Sequence, residues 1–378
     1  MIDLRDISYR VVCITPDGTQ LDITSVTTGL GWEEGEKELA ARISLKVYNA
    51  EYNGKRMSQL VQPGTPIFVY YVTGTEQKEA VRGTVEKWSP SYTNGSSALD
   101  IEANDMMHAL RQSQDFFYFS DGVTTQAMIS EVLGKWSIPF GYKGDPPNVT
   151  HNKMVFKKNY LSDILQKIFE DVKKKGGGVF FARSTGGKVE ILQRGTNEDI
   201  YHFDGNDNTI SAKDSFDSGS IVTRVIIVGK TDKEGHQAVE ATVDGKTEFG
   251  VRQAIIEHQK SKDLAQATEA ANQLLKEKGG LKRKTSISAP DLPFLRKGDR
   301  IRVSAGTVLG YFFVKSVRHN AEDQKMTLTI DEDKEKNKET DTDNGLNGVE
   351  TSSDEESSAV QTETDASETN EATEDDVS

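Results

Sequence analysis

Six histidines, one cysteine and a handful of glycine-bearing segments are the groups through which this 378-residue chain could do chemistry. His108, His151, His202, His236, His258 and His319 are scattered, and no two lie within one helical turn, so no His-x-x-x-His metal pair exists. A site assembled from distant histidines stays open, although isolated histidines are more often ordinary core or surface residues. Cys13 stands alone, which rules out an intrachain disulfide and a cysteine-based zinc site. It falls inside a predicted strand with no catalytic setting, and no Gly-x-Ser-x-Gly elbow is present.

The glycine-bearing segments are read as turns and loops. Asp244-Gly245-Lys246-Thr247 has the end of a phosphate-binding loop, but the glycine required five residues before Gly245 is Glu240, a carboxylate that repels phosphate. It is read as a hairpin turn between two strands. Gly29-Leu30-Gly31-Trp32-Glu33-Glu34-Gly35 has one residue too many for a dinucleotide fingerprint and is read as a loop. Asp204-Gly205-Asn206-Asp207-Asn208 starts like a calcium loop but has Thr209 and Ser215 where glycine and glutamate are needed, so a polar loop is expected. Lys173-Lys174-Lys175-Gly176-Gly177-Gly178 is the cationic last turn of a helix followed by its glycine stop. Lys282-Arg283-Lys284 marks the start of a strand, either facing an acidic partner or guarding a sheet edge.

The elements that position these groups are mostly strands at first. Tyr9–Thr15 ends at the Pro16-Asp17-Gly18 turn. Arg42–Tyr48 alternates apolar and polar residues, the mark of a half-buried strand. Ile67–Val72 is continuously apolar, which predicts burial on both faces. Val81–Trp88 and Ala98–Ala103 are joined through Asn94-Gly95. Helices are predicted over Asp105–Gln112, over Thr124–Leu133 with Ala127, Ile129, Val132 and Leu133 inward, and over Tyr160–Lys175. In the last, Leu161, Ile164, Leu165, Ile168 and Val172 form one stripe. A hairpin follows, Val179–Arg183 to Val189–Gln193. Beyond Tyr201 come a strand at Ile221–Val228, a hairpin of Ala238–Val243 with Thr247–Val251, and a helix over Ser261–Lys278. Ser261 is its N-cap, and Leu264, Ala267, Ala271 and Leu274 face inward. Strands at Lys284–Ser288, Arg300–Ser304, Gly310–Arg318 and Met326–Ile330 close the body.

Two of these sets echo each other. Gly64-Thr65-Pro66-Ile67-Phe68-Val69 is repeated as Gly298-Asp299-Arg300-Ile301-Arg302-Val303. Each is followed by a strand with glycine then lysine, Gly83-Thr84-Val85-Glu86-Lys87 and Gly310-Tyr311-Phe312-Phe313-Val314-Lys315, and then by an alternating strand, Leu99–Ile101 or Leu328–Ile330. The expectation is a β-rich α+β chain. Two related small β-barrels, residues 1–103 and 201–331, the second with one long helix, flank a helix-containing α/β insert, residues 104–200. Gly64, Gly83, Gly298 and Gly310 serve as the structural turns of the barrels.

Charge separates the rest. Residues 331–378 hold 18 acidic and 3 basic side chains, whereas residues 1–330 hold 42 and 43. The segment 332–378 has no aromatic residue, proline or cysteine and too little apolar surface to offset the entropy of ordering, so it reads as a disordered acidic tail. A near-neutral body with an anionic tail is poorly suited to nucleic acid, which needs a basic face. No apolar run of ~18 residues is present to span a membrane, and the start, Met-Ile-Asp-Leu-Arg-Asp, lacks a signal-peptide core. No membrane anchor, cofactor or metal is expected.

The paired barrel halves, the helix and hairpin from Tyr160-Leu161-Ser162-Asp163 through Gly178-Val179-Phe180-Phe181, and the closing segment Asp291-Leu292-Pro293-Phe294-Leu295-Arg296-Lys297-Gly298-Asp299-Arg300-Ile301 carry a resemblance. Over residues 1–331 the chain resembles the baseplate hub proteins of contractile phage tails, most closely the late-control D family in its defective-prophage and R-type bacteriocin form. The resemblance implies a structural protein with no catalysis of its own. It implies a homotrimer whose six barrels make a pseudo-hexameric adaptor between a tail tube protein and a central spike protein, with tape-measure and other baseplate proteins nearby. It further implies synthesis in the bacterial cytoplasm and assembly into a tail. The rival expectation is a cell-wall hydrolase or binding module on a β-rich scaffold. The hydrolase would need paired carboxylates with perturbed pKa values in a cleft. The binding module would need exposed aromatic side chains in one groove, and Trp32, Trp88 and Trp136 lie in different predicted elements.

Overall fold

The computed structural model describes residues 7–36, 38–229, 237–248, 250–257 and 264–343. Ser261, the expected N-cap, and residues 344–378 of the expected tail lie outside the described residues. The chain is mostly β-sheet, and no described helix is long and apolar enough to cross a membrane. Residues 7–337 belong to one compact unit.

The first part contains β1 (Ile7–Ile14), β2 (Gln20–Asp22), β3 (Thr27–Glu34), β4 (Ala41–Tyr48), the two-residue strands β5 (Glu51–Tyr52) and β6 (Lys55–Arg56), α1 (Met57–Leu60), β7 (Pro66–Thr73), β8 (Glu76–Thr93) and β9 (Ser96–Asn104). In β4 burial alternates strictly, as its sequence predicts. Strand β7 departs from expectation: only Ile67, Val69 and Tyr71 are buried. An antiparallel sheet needs only one apolar face, and the other is occupied by Phe68 stacked on Tyr70, with the Arg82 guanidinium 4.9 Å from the Phe68 ring centre. The Gly29–Glu34 segment, expected as a loop, lies within β3. A side chain at Gly31 would collide with the His319 carbonyl, so glycine serves close strand approach there.

The middle part holds α2 (Met107–Gln112), β10 (Gln114–Phe119), α3 (Thr125–Lys135), β11 (Phe140–Lys143), β12 (Met154–Tyr160), α4 (Leu161–Lys174), β13 (Phe180–Thr185) and β14 (Lys188–Gln193). The predicted stripe of α4 is buried in full, and Gly176 ends the helix in the left-handed region, φ +76°. In α3 the inward position expected for Ala127 is taken by Met128, and Ala127 is exposed. Thr124 caps that helix through the Ala127 N–H.

The last part holds β15 (Tyr201–Asp204), β16 (Ser211–Asp217), β17 (Arg224–Val228), β18 (Val239–Asp244), β19 (Gln253–Glu257), α5 (Leu264–Lys278), β20 (Lys282–Pro290), β21 (Arg300–Ala305), β22 (Val308–Asn320), β23 (Lys325–Glu332) and α6 (Lys334–Asp343). The expected hairpin around Asp244-Gly245 does not form. Residues 245–248 and 250–252 are irregular, and β18 and β19 flank β17 on opposite sides, antiparallel and parallel. Strand β17, Arg-Val-Ile-Ile-Val, is the most apolar of the three and takes the centre. Together with α5 it forms a small separate layer around Val225, Ile227, Ala267 and Ala271.

Strands of the first and last parts follow one plan. The order β3-β4-β9-β8-β7-β1 is matched by β16-β20-β23-β22-β21-β15. All adjacent pairs are antiparallel except β15–β21, which is parallel. The described ladders close neither half into a barrel; they merge into one 13-stranded sheet. The cause lies in β22. Its pairing with β21 stops at Phe313, and the edge it leaves free is taken by β3 through Val317–Asn320.

Candidate functional site

The segment Asp291–Asp299 touches all three parts of the chain. At its start, Asp291 accepts hydrogen bonds from Tyr9 of β1 and lies 2.6 Å, Oδ1 to Nδ1, from His319 of β22. The His319 ring stacks on Trp32 of β3 at 4.5 Å. Burial, then the Asp291 charge, pushes the Tyr9 hydroxyl far up. Next, Phe294 packs against Tyr71 and Tyr201, at 6.0 and 5.1 Å.

The far end is ionic. Arg296 donates from Nε and Nη2 to Glu34 at the end of β3, and from Nη1 to Ser184 O and Thr185 Oγ1 of β13, each at 3.0 Å. The Lys297 N–H donates to the other Glu34 oxygen at 2.8 Å. Its ammonium donates to the carbonyls of Gly35, Glu36 and Glu38. Arg183 joins the group, donating to Glu190 at 3.2 Å and to Asp299 at 3.3 Å. Asp299 in turn accepts the Arg296 N–H. Burial alone would raise the Glu34 carboxyl, but the Arg296 charge and hydrogen bonds, with Arg183, hold it at about 2.

Asp105, just past β9, completes the cluster. It accepts the Met107 N–H at 2.9 Å, and its own N–H donates to Ala41 O. Burial, reinforced by the charge of Glu34, pushes its carboxyl up to about 7 against the opposing backbone donors and Arg296. A cleft of about 320 Å³ opens onto Asp105, Arg183, Glu190 and Arg296, with Tyr71, Glu79, Arg82 and Lys143 farther around its wall. Of the carboxylates that line this cleft, Glu79 bonds to Arg82 on its own strand and Glu190 to Arg183 across the β13–β14 hairpin, while Asp105 is held by backbone groups.

Of the four predicted turn glycines, Gly64 and Gly298 lie in left-handed turns ahead of β7 and β21, whereas Gly83 falls inside β8 and Gly310 inside β22. Gly298 has φ +92°, and its N–H donates to Val314 O while the Val314 N–H donates to Asp299 O, both at 2.8 Å. Gly64 repeats this: φ +91°, N–H to Val85 O at 2.8 Å, and Val85 N–H to Thr65 O at 2.9 Å. Directly after Val85 and after Val314 the ladder to the next strand skips one residue, a bulge in each half. Aligned on those valines, Gly83 matches Phe312, and Gly310 lies two residues earlier. The glycine-then-lysine echo is therefore not positional. Gly83 allows close approach to the Asn104 backbone, whereas Gly310 has φ +113° beside the Asn337 side chain.

Sequence reading found the 291–299 segment but missed Glu34, Asp105 and Arg183. A signal for two of them exists. Leu30, Trp32 and Glu34, and likewise Leu99, Ile101, Ala103 and Asp105, are consecutive inward positions of alternating segments. A carboxylate at such a position must find a buried partner or a proton.

Among the other histidines, His151 is buried between Asp171 Oδ2 and Thr125 Oγ1, each 2.7 Å from a ring nitrogen, and ties the 149–151 loop to α3 and α4. His202 lies 3.0 Å from Ser304 Oγ, and His108 contacts Glu86 and Gln112; His236 and His258 lie outside the described residues. Among the described residues no three His, Cys, Asp or Glu side chains gather as a metal site would require.

The fold is similar to that of a tail protein from Neisseria meningitidis MC58 (TM-score 0.60, 13% identity, 86% of this chain and 97% of that one). It is also similar to the 43 kDa tail protein of prophage MuSo2 from Shewanella oneidensis (TM-score 0.60, 14% identity, 85% and 97%). In sequence, the phage-like element PBSX protein XkdQ of Bacillus subtilis (strain 168) is 24% identical over 258 residues, 67% of this chain and 78% of that protein. Residues 30–331 match the YQBQ-like family, a span that includes Glu34, Asp105, Arg183 and the whole 291–299 segment, and the chain belongs to that family.

Proposed function

We propose that this protein is a structural subunit of a phage tail or phage-derived particle, serving as the baseplate hub between tail tube and central spike. The observation that carries the reading is the internal repeat. Two six-strand sets share one strand order, the same left-handed glycine and paired hydrogen bonds, and the same bulge. A chain with two equivalent units can meet a sixfold neighbour as a trimer, so that one gene product matches sixfold and threefold symmetry at once. The tail-protein folds and the PBSX relative support the setting. The 291–299 segment serves here as the tie that keeps the two units and the middle part in fixed relation. Light scattering and negative-stain imaging of the full chain, alone and mixed with candidate tail tube and spike proteins, test this. Trimeric rings are expected. A strict monomer at high concentration that binds neither neighbour overturns the reading.

A further inference from the structure

We propose that copies of this chain join head to tail through two sheet edges: the free edge of β16 in one copy lies antiparallel along Trp88–Ser91 of β8 in the next. The proposal rests on the hub reading for the number of copies, and adds which surfaces meet. Its template is the seam inside the chain. There β22, after leaving β21 at Phe313, lends Val317–Asn320 to the outer edge of β3. The shared strand order makes β8 the counterpart of β22 and β16 the counterpart of β3. Strand β8 leaves β7 at Thr84 and continues along β9 to Thr93, so its other edge from Lys87 onward has no partner strand among the described residues. The edge of β16 away from β20 has none either. Each half thus carries the same pair of edges; the chain joins β22 to β3 and leaves β8 and β16 over.

The ladders fix the register. Counted from the two bulges, Trp88, Ser89, Pro90 and Ser91 match Val317, Arg318, His319 and Asn320. Through β9 and β4, and through β23 and β20, Gly31, Trp32, Glu33 and Glu34 match Lys213, Asp214, Ser215 and Phe216. The pair Val317–Glu34 therefore becomes Trp88–Phe216, two directly opposed aromatic residues. Phe216 follows Ala212 and Asp214 on the inward side of β16, yet is 61% exposed, with Arg283 5.8 Å from its ring centre. Its counterpart Glu34 is covered by the Arg296–Lys297 turn. The counterpart of that turn is Gln62-Pro63. The Thr65 N–H donates to Gln62 O at 2.9 Å, as the Asp299 N–H does to Arg296 O at 3.2 Å. The Gln62 N–H donates to Thr65 Oγ1 at 3.0 Å, as the Arg296 N–H does to Asp299 Oδ2 at 2.9 Å.

The two exchanges match each other. A carboxylate facing Arg296 and the Lys297 N–H becomes a phenyl ring facing an uncharged glutamine and a proline, which has no N–H to leave unpaired. Gln62 and Pro63 are both exposed in the single chain. The Ala321 N–H donates across the inner seam to Leu30 O, so the His319 N–H two residues earlier faces β3 as well. Pro90 stands in its place without a donor, so the seam between copies is the weaker of the two. Contacts of unlike edges run head to tail and close into a ring when the rotation allows.

Ser89 and Ser215 match the directly opposed Arg318 and Glu33, so across the seam their Cα atoms should lie about 4.5–5.5 Å apart, within reach of a disulfide. The full-length Ser89→Cys/Ser215→Cys variant would be oxidised and run on a denaturing gel; Cys13 is buried and stays out of the reaction. Covalent dimers and trimers are expected from the double variant, dimers from a mixture of the two single variants, and neither from a single variant alone. Phe216→Ser, at an exposed position, should keep the melting temperature and raise the concentration for half-assembly about tenfold or more. Trimers that form without the crosslink overturn this proposal and leave the hub reading standing, as do trimers crosslinked by one single variant alone. A strict monomer overturns both.

Discussion

At the scale of single residues, the strongest commitment in the molecule is Glu34. Its carboxylate takes two donors from Arg296 and one from the Lys297 backbone, deep between β3 and the closing segment. Removing one member of such a pair strands the other charge without its partner, which typically costs about 3–5 kcal/mol. Glu34→Ala should lower urea-unfolding stability by about that amount at neutral pH. Because the Glu34 carboxyl sits at about 2 in the folded chain against an ordinary 4.5, its contribution is present above pH ~4.5 and lost as pH falls towards 2, so the mutant's deficit should shrink in acid. An unchanged midpoint in Glu34→Ala would mean that the ion pair adds nothing. The cluster was only half legible in sequence for a physical reason. Its members are separated by tens to hundreds of residues and share no motif, and only the inward positions of Glu34 and Asp105 betray them.

At the scale of elements, regular periodicity was the reliable guide. Strand β4 and helix α4 are each ruled by one buried face, and both were readable directly. Pairing was less so. Asp244-Gly245 is a sound turn signal, but a turn says nothing about which strand its neighbours join, and β17 outcompeted the local partner for both β18 and β19. The two left-handed glycines allow a controlled comparison. A side chain at Gly64 would meet open space, whereas one at Gly298 would run into the Phe181 ring. Gly64→Ala should therefore cost only backbone strain, about 1–3 kcal/mol. Gly298→Ala should cost a further ~1–3 kcal/mol for overpacking. Thermal melts of the two variants check this, and equal losses would show that Phe181 moves aside freely.

At the scale of the whole molecule, the boundary between body and tail falls later than charge alone suggests. Residues 332–343 were expected in the disordered tail, yet Glu332 ends β23 and α6 follows. Asp333 is buried, pairs with Arg300 at 2.7 Å and accepts the Lys336 N–H, and Asn337 accepts the Tyr311 N–H at 2.6 Å. Composition hid this because the segment has no apolar stripe; side-chain bonds of Asp333 and Asn337 to β21 and β22 hold residues 333–337 instead. A chain ending at Asp343 should melt like the full-length protein. One ending at Ile330 should melt several degrees lower, having lost a mostly buried ion pair and the Asn337 bonds. Matching melting curves for the two truncations would put the boundary back at 331.

The long strand β22 has a mechanical consequence. Four residue pairs, Val317–Asn320 with Gly31–Glu34, join the two halves of the large sheet. Ladder hydrogen bonds run perpendicular to the strands. A pull along β22 therefore loads all four pairs in shear together, while a pull across the sheet would peel them one at a time. The seam should be stiff along one axis and weak along the other, and a force transmitted through the chain would be carried or released according to its direction.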